Sequence, residues 1–420
     1  MLVATGALVA CGAERSAPVA TPPPPPTTTT TTPPERPVVT RRERRERPPR
    51  TTVETTTTTT TPPEVAWQRF DEALSGRLIG SGDFAAAVAV AVDGEIVHTS
   101  EFGYRVPPPL APPPTPDGST TTASTVAPGP EPEPIEPGDR FRIASISKVI
   151  TAIVVLQMVE AGQLGLDDAV GERLGAHVGV AVADPAVAGI TVRQLLAHTS
   201  GLPGYNNTFF GGGADSCATA AQQGLTRGLA SAPGTYRYSN FNYCLLGLLV
   251  EQIAGRPYEA VVTDRLLAPL GIQGMRLART FDDDPSQVVH PSAPLRNYME
   301  VLGAAGSWVA TPSDVVKIMA SIEPTSLGWH PLSPPMLELM RQPQTLAYPS
   351  AGRWYGLGLM SFGDGSFGHT GTVENAHAMV VSRPDGVVWS VLVSGEYPWE
   401  SNDLRSIFDR SIADAGITLG

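Results

Sequence analysis

Lysine is almost absent from this 420-residue chain: Lys148 and Lys317 are the only two, so the 29 basic residues are nearly all arginine. A lysine that falls in a chemically meaningful pattern therefore carries more weight than usual. Charge is sparse overall, at 17% of residues, and the 41 acidic side chains outnumber the basic ones for a net charge of -12. That balance argues against a protein built to neutralise nucleic-acid phosphates, and nucleic acid is not an expected partner. Long apolar runs are missing too: the longest candidate, Val149 to Val159, contains Gln157 and is too short to cross a bilayer as a helix. The seven histidines are scattered, and the chain has no His-Glu-x-x-His, no Cys-x-x-Cys and no Gly-rich phosphate loop. Neither a metal nor a nucleotide cofactor is expected. No repeat of fixed period is present, which disfavours a solenoid or propeller.

What the chain does have is a 41% hydrophobic content, enough for a large core, and 42 prolines and 42 glycines gathered in particular tracts. From about Thr21 to Pro63 the sequence is mostly Pro and Thr, with little apolar surface to offset the entropy of ordering. Such a tract favours extended polyproline II at about 3 Å per residue, a spacer on the order of 100 Å long. Within it, Arg41 to Arg47 reads as a solvated charge run. Ahead of it, Leu8-Val9-Ala10-Cys11 resembles a bacterial lipobox, which implies cleavage before Cys11 and acylation of its thiol. The expected organisation is a truncated lipoprotein signal over 1–10, a tether over 11–63 and a folded domain over 64–420. The expected location is extracytoplasmic, anchored to the membrane through the lipid or secreted. A second Pro/Thr/Ser/Gly tract, 107–137, reads as a long surface loop inside the domain. Cys217 and Cys244 form either a disulfide or two buried thiols.

Periodicity supplies a coarse architecture. Val65, Phe70, Leu74 and Leu78 mark a helix from Glu64 to Leu78, followed by strands Phe84 to Val92 and Glu95 to Tyr104 around the Asp93-Gly94 turn. Ser145 to Ala161 reads as an amphipathic to buried helix closed by Gly162, and further helical patterns cover 192–197, 243–254, 258–267 and 312–321. Four strands follow, at 356–362, 366–370, 377–382 and 387–394, then a last helix over 402–415. The expected fold class is α/β (α+β): one antiparallel sheet flanked by terminal helices, with an inserted, mostly helical lobe.

Chemistry enters at Ser145-Ile146-Ser147-Lys148, where a hydroxyl and an amine at i and i+3 share one helix face. A serine hydroxyl is a poor nucleophile until a base takes its proton, and a lysine acts as base only when neutral, a state that burial favours. A first-turn position would also place Ser145 near backbone N–H groups that favour developing negative charge.

Three stretches then agree in order: Phe141-Arg142-Ile143-Ala144-Ser145-Ile146-Ser147-Lys148, Tyr238-Ser239-Asn240 and His369-Thr370-Gly371. Together they resemble the motifs of the serine β-lactamase and penicillin-binding protein superfamily, with Tyr-x-Asn and His-Thr-Gly in place of Ser-Asp-Asn and Lys-Thr-Gly. Leu195 to Pro203, and Tyr238 to Tyr243 followed by Leu245-Leu246-Gly247, are similar to the class C β-lactamase and D-alanyl-D-alanine carboxypeptidase branch. The resemblance implies a β-lactamase/transpeptidase-like fold over roughly Glu64 to the C-terminus. It also implies a serine hydrolase that works through a covalent acyl-enzyme without a cofactor, on a D-Ala-D-Ala peptide, a β-lactam or a small ester. It casts Ser145 as nucleophile, Lys148 as its base and Tyr238 as proton relay to leaving group and water. Asn240, His369, Thr370, Gly371 and Thr372 become substrate-binding positions, with the N–H groups of Ser145 and Thr372 as oxyanion hole. On this reading Thr370 meets a substrate carboxylate, and His369 either orients protons or binds an anionic group with a charge that depends on pH. His198 is assigned to structure, and Trp308 and Trp354 to core or cleft wall. The competing reading is a catalytically silent module that binds wall peptide from its tether.

Overall fold

The computed structural model describes residues 63–107, 131–204, 208, 211–290, 292, 297–326, 328–344 and 352–419. Cys11, the Pro/Thr tether and most of the 107–137 tract lie outside the described residues. The described end of that tract is not all loop, since Glu133–Pro134 pairs with the strand before it.

A seven-stranded sheet runs in the order β3-β2-β1-β10-β9-β8-β7. Its strands are β1 (Ala85–Val92), β2 (Glu95–Val106), β3 (Glu133–Pro134), β7 (Met360–Ser361), β8 (Phe367–Val373), β9 (Ala376–Ser382) and β10 (Val387–Ser394), and every pair is antiparallel. A small second sheet, β4-β6-β5, joins β4 (Phe141–Arg142), β5 (Arg276–Leu277) and β6 (Trp308–Ala310). The helices used below are α1 (Pro63–Leu78), α2 (Ser147–Glu160), α3 (Gly171–Val178), α4 (Val192–Leu196), α5 (Cys217–Leu225), α6 (Asn240–Ala254), α7 (Tyr298–Leu302), α8 (Pro312–Ser321) and α9 (Asp403–Ala415).

Strand alternation explains why the sheet is covered on both faces. Along β1, Ala86, Val88 and Val90 face a core with Phe70, Leu74 and Leu78 of α1 and Leu404, Ile407 and Phe408 of α9. Trp389 of β10 stacks on Phe408 at 4.2 Å, which pins α9 to the sheet. The alternate residues Ala85, Ala87, Ala89 and Ala91 face the other core, which holds α2, α8 and the helical lobe. Their small side chains leave room for α8 against the strand. α2 is buried almost all round, as its uninterrupted apolar sequence requires. Cys217 and Cys244 are disulfide-bonded, joining α5 to α6.

Two elements depart from expectation. The strand expected over 356–362 shrinks to Met360–Ser361 because Gly356 and Gly358 lie in close approaches: a Cβ would fall 2.3 Å from the Met340 carbonyl oxygen at Gly356 and 2.3 Å from Ala152 Cβ at Gly358. The helix expected to begin at Ser145 begins at Ser147, after a 3₁₀ turn over Ala144–Ile146.

Ahead of β1, the buried Asp83 carboxylate accepts the Tyr397 N–H at 2.9 Å through Oδ1, while Oδ2 has no hydrogen-bond partner among the described residues. Burial raises this carboxyl from 3.8 to about 7. Between those values the unfolded chain has lost a proton that the fold still holds, so this group's contribution to stability falls as pH rises through the window. Asp83→Asn keeps the acceptor and removes the charge. Thermal unfolding should show a higher Tm than wild type at about pH 8, with the gain shrinking toward about pH 4; a gain independent of pH would contradict this assignment.

Candidate active site

The turn that carries Ser145, the candidate nucleophile, is held in an unusual backbone state. Ala144, a non-glycine, has φ +46°, a left-handed conformation that L-residues seldom adopt without surrounding support. The support comes from β8, which crosses so closely that a Cβ on Gly371 would lie 2.3 Å from the Ile143 carbonyl oxygen and 3.1 Å from Ala144 Cβ. A glycine in the third motif is thus a steric requirement: it lets the strand edge reach the serine. The 3₁₀ turn aligns i with i+3 more nearly than an α-helix does, which brings Lys148 beneath Ser145.

Lys148 is fully buried, and its Nζ has three polar partners: Ser145 Oγ at 3.0 Å, Asn240 Oδ1 at 2.8 Å and the Ala305 carbonyl oxygen at 2.7 Å. Burial drives its pKa well below 10.5. A neutral amine has two N–H donors and one lone pair. Asn240 Oδ1 and the Ala305 carbonyl only accept, so they take the two N–H groups. In that neutral form the lone pair is left to the Ser145 hydroxyl as donor, whereas an ammonium would donate to all three oxygens.

Asn240 starts α6, and Tyr238 precedes it by two residues. The Lys148 Nζ lies 5.0 Å from the Tyr238 ring centroid and 5.7 Å from that of Tyr243. Tyr243 is anchored by its hydroxyl, which donates to the Leu196 carbonyl at 2.8 Å. The Tyr238 and His369 rings are 6.3 Å apart. Ser145, Tyr238, Asn240 and Thr370 are half-buried and Thr372 is exposed, while Lys148, His198 and His369 lie buried behind them.

β8 supplies the open side. The Phe362 N–H donates to the Ser366 carbonyl, so even-numbered residues of β8 aim their peptide groups away from β9. β7 pairs only with Phe367 and Gly368. Past its end, the Thr372 N–H points outward along the edge that Gly371 holds against the Ser145 turn.

The three motifs therefore converge on one site around Lys148, and comparison with known proteins agrees. The beta-lactamase family model matches residues 70–414. The chain belongs to the beta-lactamase family. It is 30% identical over 279 residues to penicillin-binding protein 4 of Amycolatopsis lactamdurans, an alignment covering 61% of this chain and 72% of that one. Other curated relatives are matched over half of their own length or less. Among solved structures, EstCE1, a hydrolase with promiscuous acyltransferase activity, has a TM-score of 0.64 at 19% identity, covering 84% of this chain and 98% of that one. The D-amino acid amidase from Ochrobactrum anthropi SV3, complexed with L-phenylalanine amide, has a TM-score of 0.60 at 20% identity, covering 83% and 99%. These structures share the β-lactamase/penicillin-binding protein fold.

Within this beta-lactamase-family site, two third-motif expectations need correction. His369 does not present a pH-dependent cation: its ring is wholly buried, with Nδ1 2.6 Å from the Thr370 carbonyl oxygen and Nε2 3.0 Å from the Tyr355 hydroxyl. Burial, reinforced by any charge on Lys148, lowers its pKa to about 3, so the ring is neutral near pH 7. Nδ1–H donates to Thr370 and Nε2 accepts from Tyr355. The Thr370 hydroxyl, expected at a substrate carboxylate, lies 3.8 Å from Met360 Sδ because alternation turns this side chain to the Met379 side of the strand. Thr372 Oγ1 meets Ser401 Oγ at 2.5 Å, and Ser401 donates to the Gly371 carbonyl at 2.7 Å. Trp308 is a core residue that donates to the Tyr258 hydroxyl, and Trp354 donates to the Arg341 carbonyl.

Several supporting groups were not singled out from sequence. The Ala305 carbonyl belongs to a run of small residues, Gly303 to Ser307, whose compactness is the one available signal. Arg142, buried three residues before the nucleophile, donates to the Tyr298 hydroxyl at 2.5 Å and to the carbonyls of Arg279 and Thr280. Tyr298 in turn donates to Glu374 at 3.0 Å, in the turn that ends β8. One guanidinium thus ties the nucleophile segment to α7 and, through Tyr298, to the third-motif strand.

Gly371→Ala tests the close approach. It should lower kcat/KM for any acyl substrate by about 100-fold, the scale expected of an ångström-sized misplacement, with circular dichroism unchanged. An alanine variant with wild-type kcat/KM would contradict the steric account.

Proposed function

We propose that this protein is a serine acyl hydrolase that transfers the acyl group of an ester or amide to Ser145 and then to water. The observation that carries the reading is the Lys148 amine, fully buried 3.0 Å from Ser145 Oγ with no charged group among its three hydrogen-bond partners, a burial that favours the neutral form able to take the serine proton. As Ser145 Oγ attacks the substrate carbonyl, Lys148 takes the hydroxyl proton and a tetrahedral intermediate forms. The N–H groups of Ser145 and Thr372 stabilise its oxyanion, an interaction worth roughly 3 kcal/mol per donor in comparable sites. Collapse breaks the bond to the leaving group, which receives a proton through Tyr238. Water then attacks the acyl-enzyme by the reverse proton path, and Ser145 regains its hydrogen.

The neutral His369 supports a substrate preference. Where the family motif commonly has lysine, the third motif here offers a neutral imidazole to a carboxylate beside the scissile bond. That favours esters and simple amides over β-lactams and peptides ending in D-Ala-D-Ala. The disulfide supports an extracytoplasmic location, and the Leu8-Val9-Ala10-Cys11 pattern supports lipid anchoring at Cys11.

Incubation with a fluorophosphonate and with a fluorescent penicillin, followed by peptide mapping, tests the reading. Ser145 should carry the adduct of at least one probe, Ser145→Ala should carry none, and Lys148→Ala should label at least about 100-fold more slowly. Turnover of p-nitrophenyl acetate or a D-amino acid amide should exceed that of nitrocefin. An unlabelled Ser145 with both probes, and no turnover of any of these substrates, would instead favour the silent binding module.

A further inference from the structure

His198 precedes Tyr238 by forty residues of chain, yet the segment on each side of that tyrosine is bonded to it. The His198 carbonyl accepts the Arg237 N–H at 2.8 Å, and His198 Nδ1 accepts the Ser239 N–H at 3.2 Å. The Asn242 side-chain amide, one turn into α6, also lies 3.2 Å from Nδ1. The imidazole packs against the Tyr238 phenol with ring centroids 4.3 Å apart. His198 is itself held at φ +58°, a left-handed backbone state that directs its ring and its carbonyl to the same tyrosine segment.

With a backbone N–H aimed at Nδ1, the ring proton belongs on Nε2. That atom is buried and has no hydrogen-bond partner among the described residues. It lies in a ring cluster with Tyr243 at 5.1 Å and Tyr355 at 4.8 Å. Leaving a buried N–H unsatisfied is costly, on the order of 1–3 kcal/mol, so the arrangement calls for a compensating role at Nδ1. Burial opposes protonation of the ring, as would any charge on Lys148 or His369, which keeps Nδ1 available as an acceptor.

We propose that His198 is a positioning residue that fixes the Tyr238 phenol for proton transfer, by clamping the backbone on both sides of it and packing on its ring. His198 touches no substrate. Its acceptor nitrogen is the necessary feature, because an imidazolium would set a second N–H against that of Ser239. The inference rests on the proposed relay role of Tyr238, and the experiment separates the two.

Single-turnover acylation and steady-state hydrolysis of p-nitrophenyl acetate are measured for wild type, Tyr238→Phe, His198→Asn, His198→Gln and His198→Phe. Asparagine tolerates positive φ and places Oδ1 near the position of Nδ1; phenylalanine keeps the ring and loses the acceptor. His198→Phe should lose about 30-fold or more in kcat, part of the roughly 100- to 10,000-fold that a general acid–base group supplies, with KM changed less than about twofold. His198→Asn should stay within about fivefold of wild type, and His198→Gln, whose oxygen lies beyond the Nδ1 position, should resemble the phenylalanine variant. If His198→Phe does not fold, the Asn and Gln pair decides by the same ordering. Wild-type kcat in His198→Phe, or equal losses in Asn and Gln, would overturn the positioning role. Full kcat in Tyr238→Phe would instead overturn the relay reading on which it rests.

Discussion

A primary amine without an anionic partner organises this site. The hydrogen-bond partners of Lys148 among the described residues are a hydroxyl, a side-chain amide oxygen and a peptide carbonyl, none of which carries a charge. Burying an ammonium among such groups is unfavourable, and the least costly response is loss of the proton. In the proposed mechanism this prepares the base before substrate arrives. Linkage gives a cost: the unfolded chain holds that proton up to the ordinary lysine range, so stability attributable to this group declines as pH falls from there.

The rest of the fold serves that amine. α2 carries it into the core, α6 presents Asn240, and the turn after α7 presents the Ala305 carbonyl. The left-handed Ala144 raises Ser145 above it, and Gly371 allows β8 to approach from the opposite side. Behind these groups, His198, Tyr243, Tyr355 and His369 form a buried aromatic layer that sets the orientation of Tyr238 and contributes no fixed charge near neutral pH.

Much of this was legible in the sequence, for identifiable reasons. Apolar spacing in α1 and α9, and the alternating small and branched residues of β1, specify the sheet and its two coverings because burial follows period directly. The Ser145 and Lys148 pair was readable because a rare lysine on the flank of an apolar helix stands out and because three stretches in order resemble the motifs of the superfamily. The state of His369 was not readable: the sequence contains a histidine before Thr-Gly, but its charge depends on Tyr355 and on complete burial, both products of tertiary packing. The Ala305 carbonyl was invisible for a related reason, since any residue type supplies a carbonyl. Ser145 was expected inside the helix and lies in a 3₁₀ turn before it because the contact between Gly371 and Ile143, distant in sequence, fixes the local backbone.

The scarcity of lysine offers a direct test of the central claim. With lysine carrying ¹³C at Cε and ¹⁵N at Nζ, the protein should give two sets of side-chain resonances, one from buried Lys148 and one from exposed Lys317. Near pH 8 the Lys148 signals should have the shifts of a free amine while those of Lys317 have the shifts of an ammonium, and Lys148→Arg should remove only the former. Two ammonium signals at that pH, titrating together near the ordinary lysine value, would contradict it.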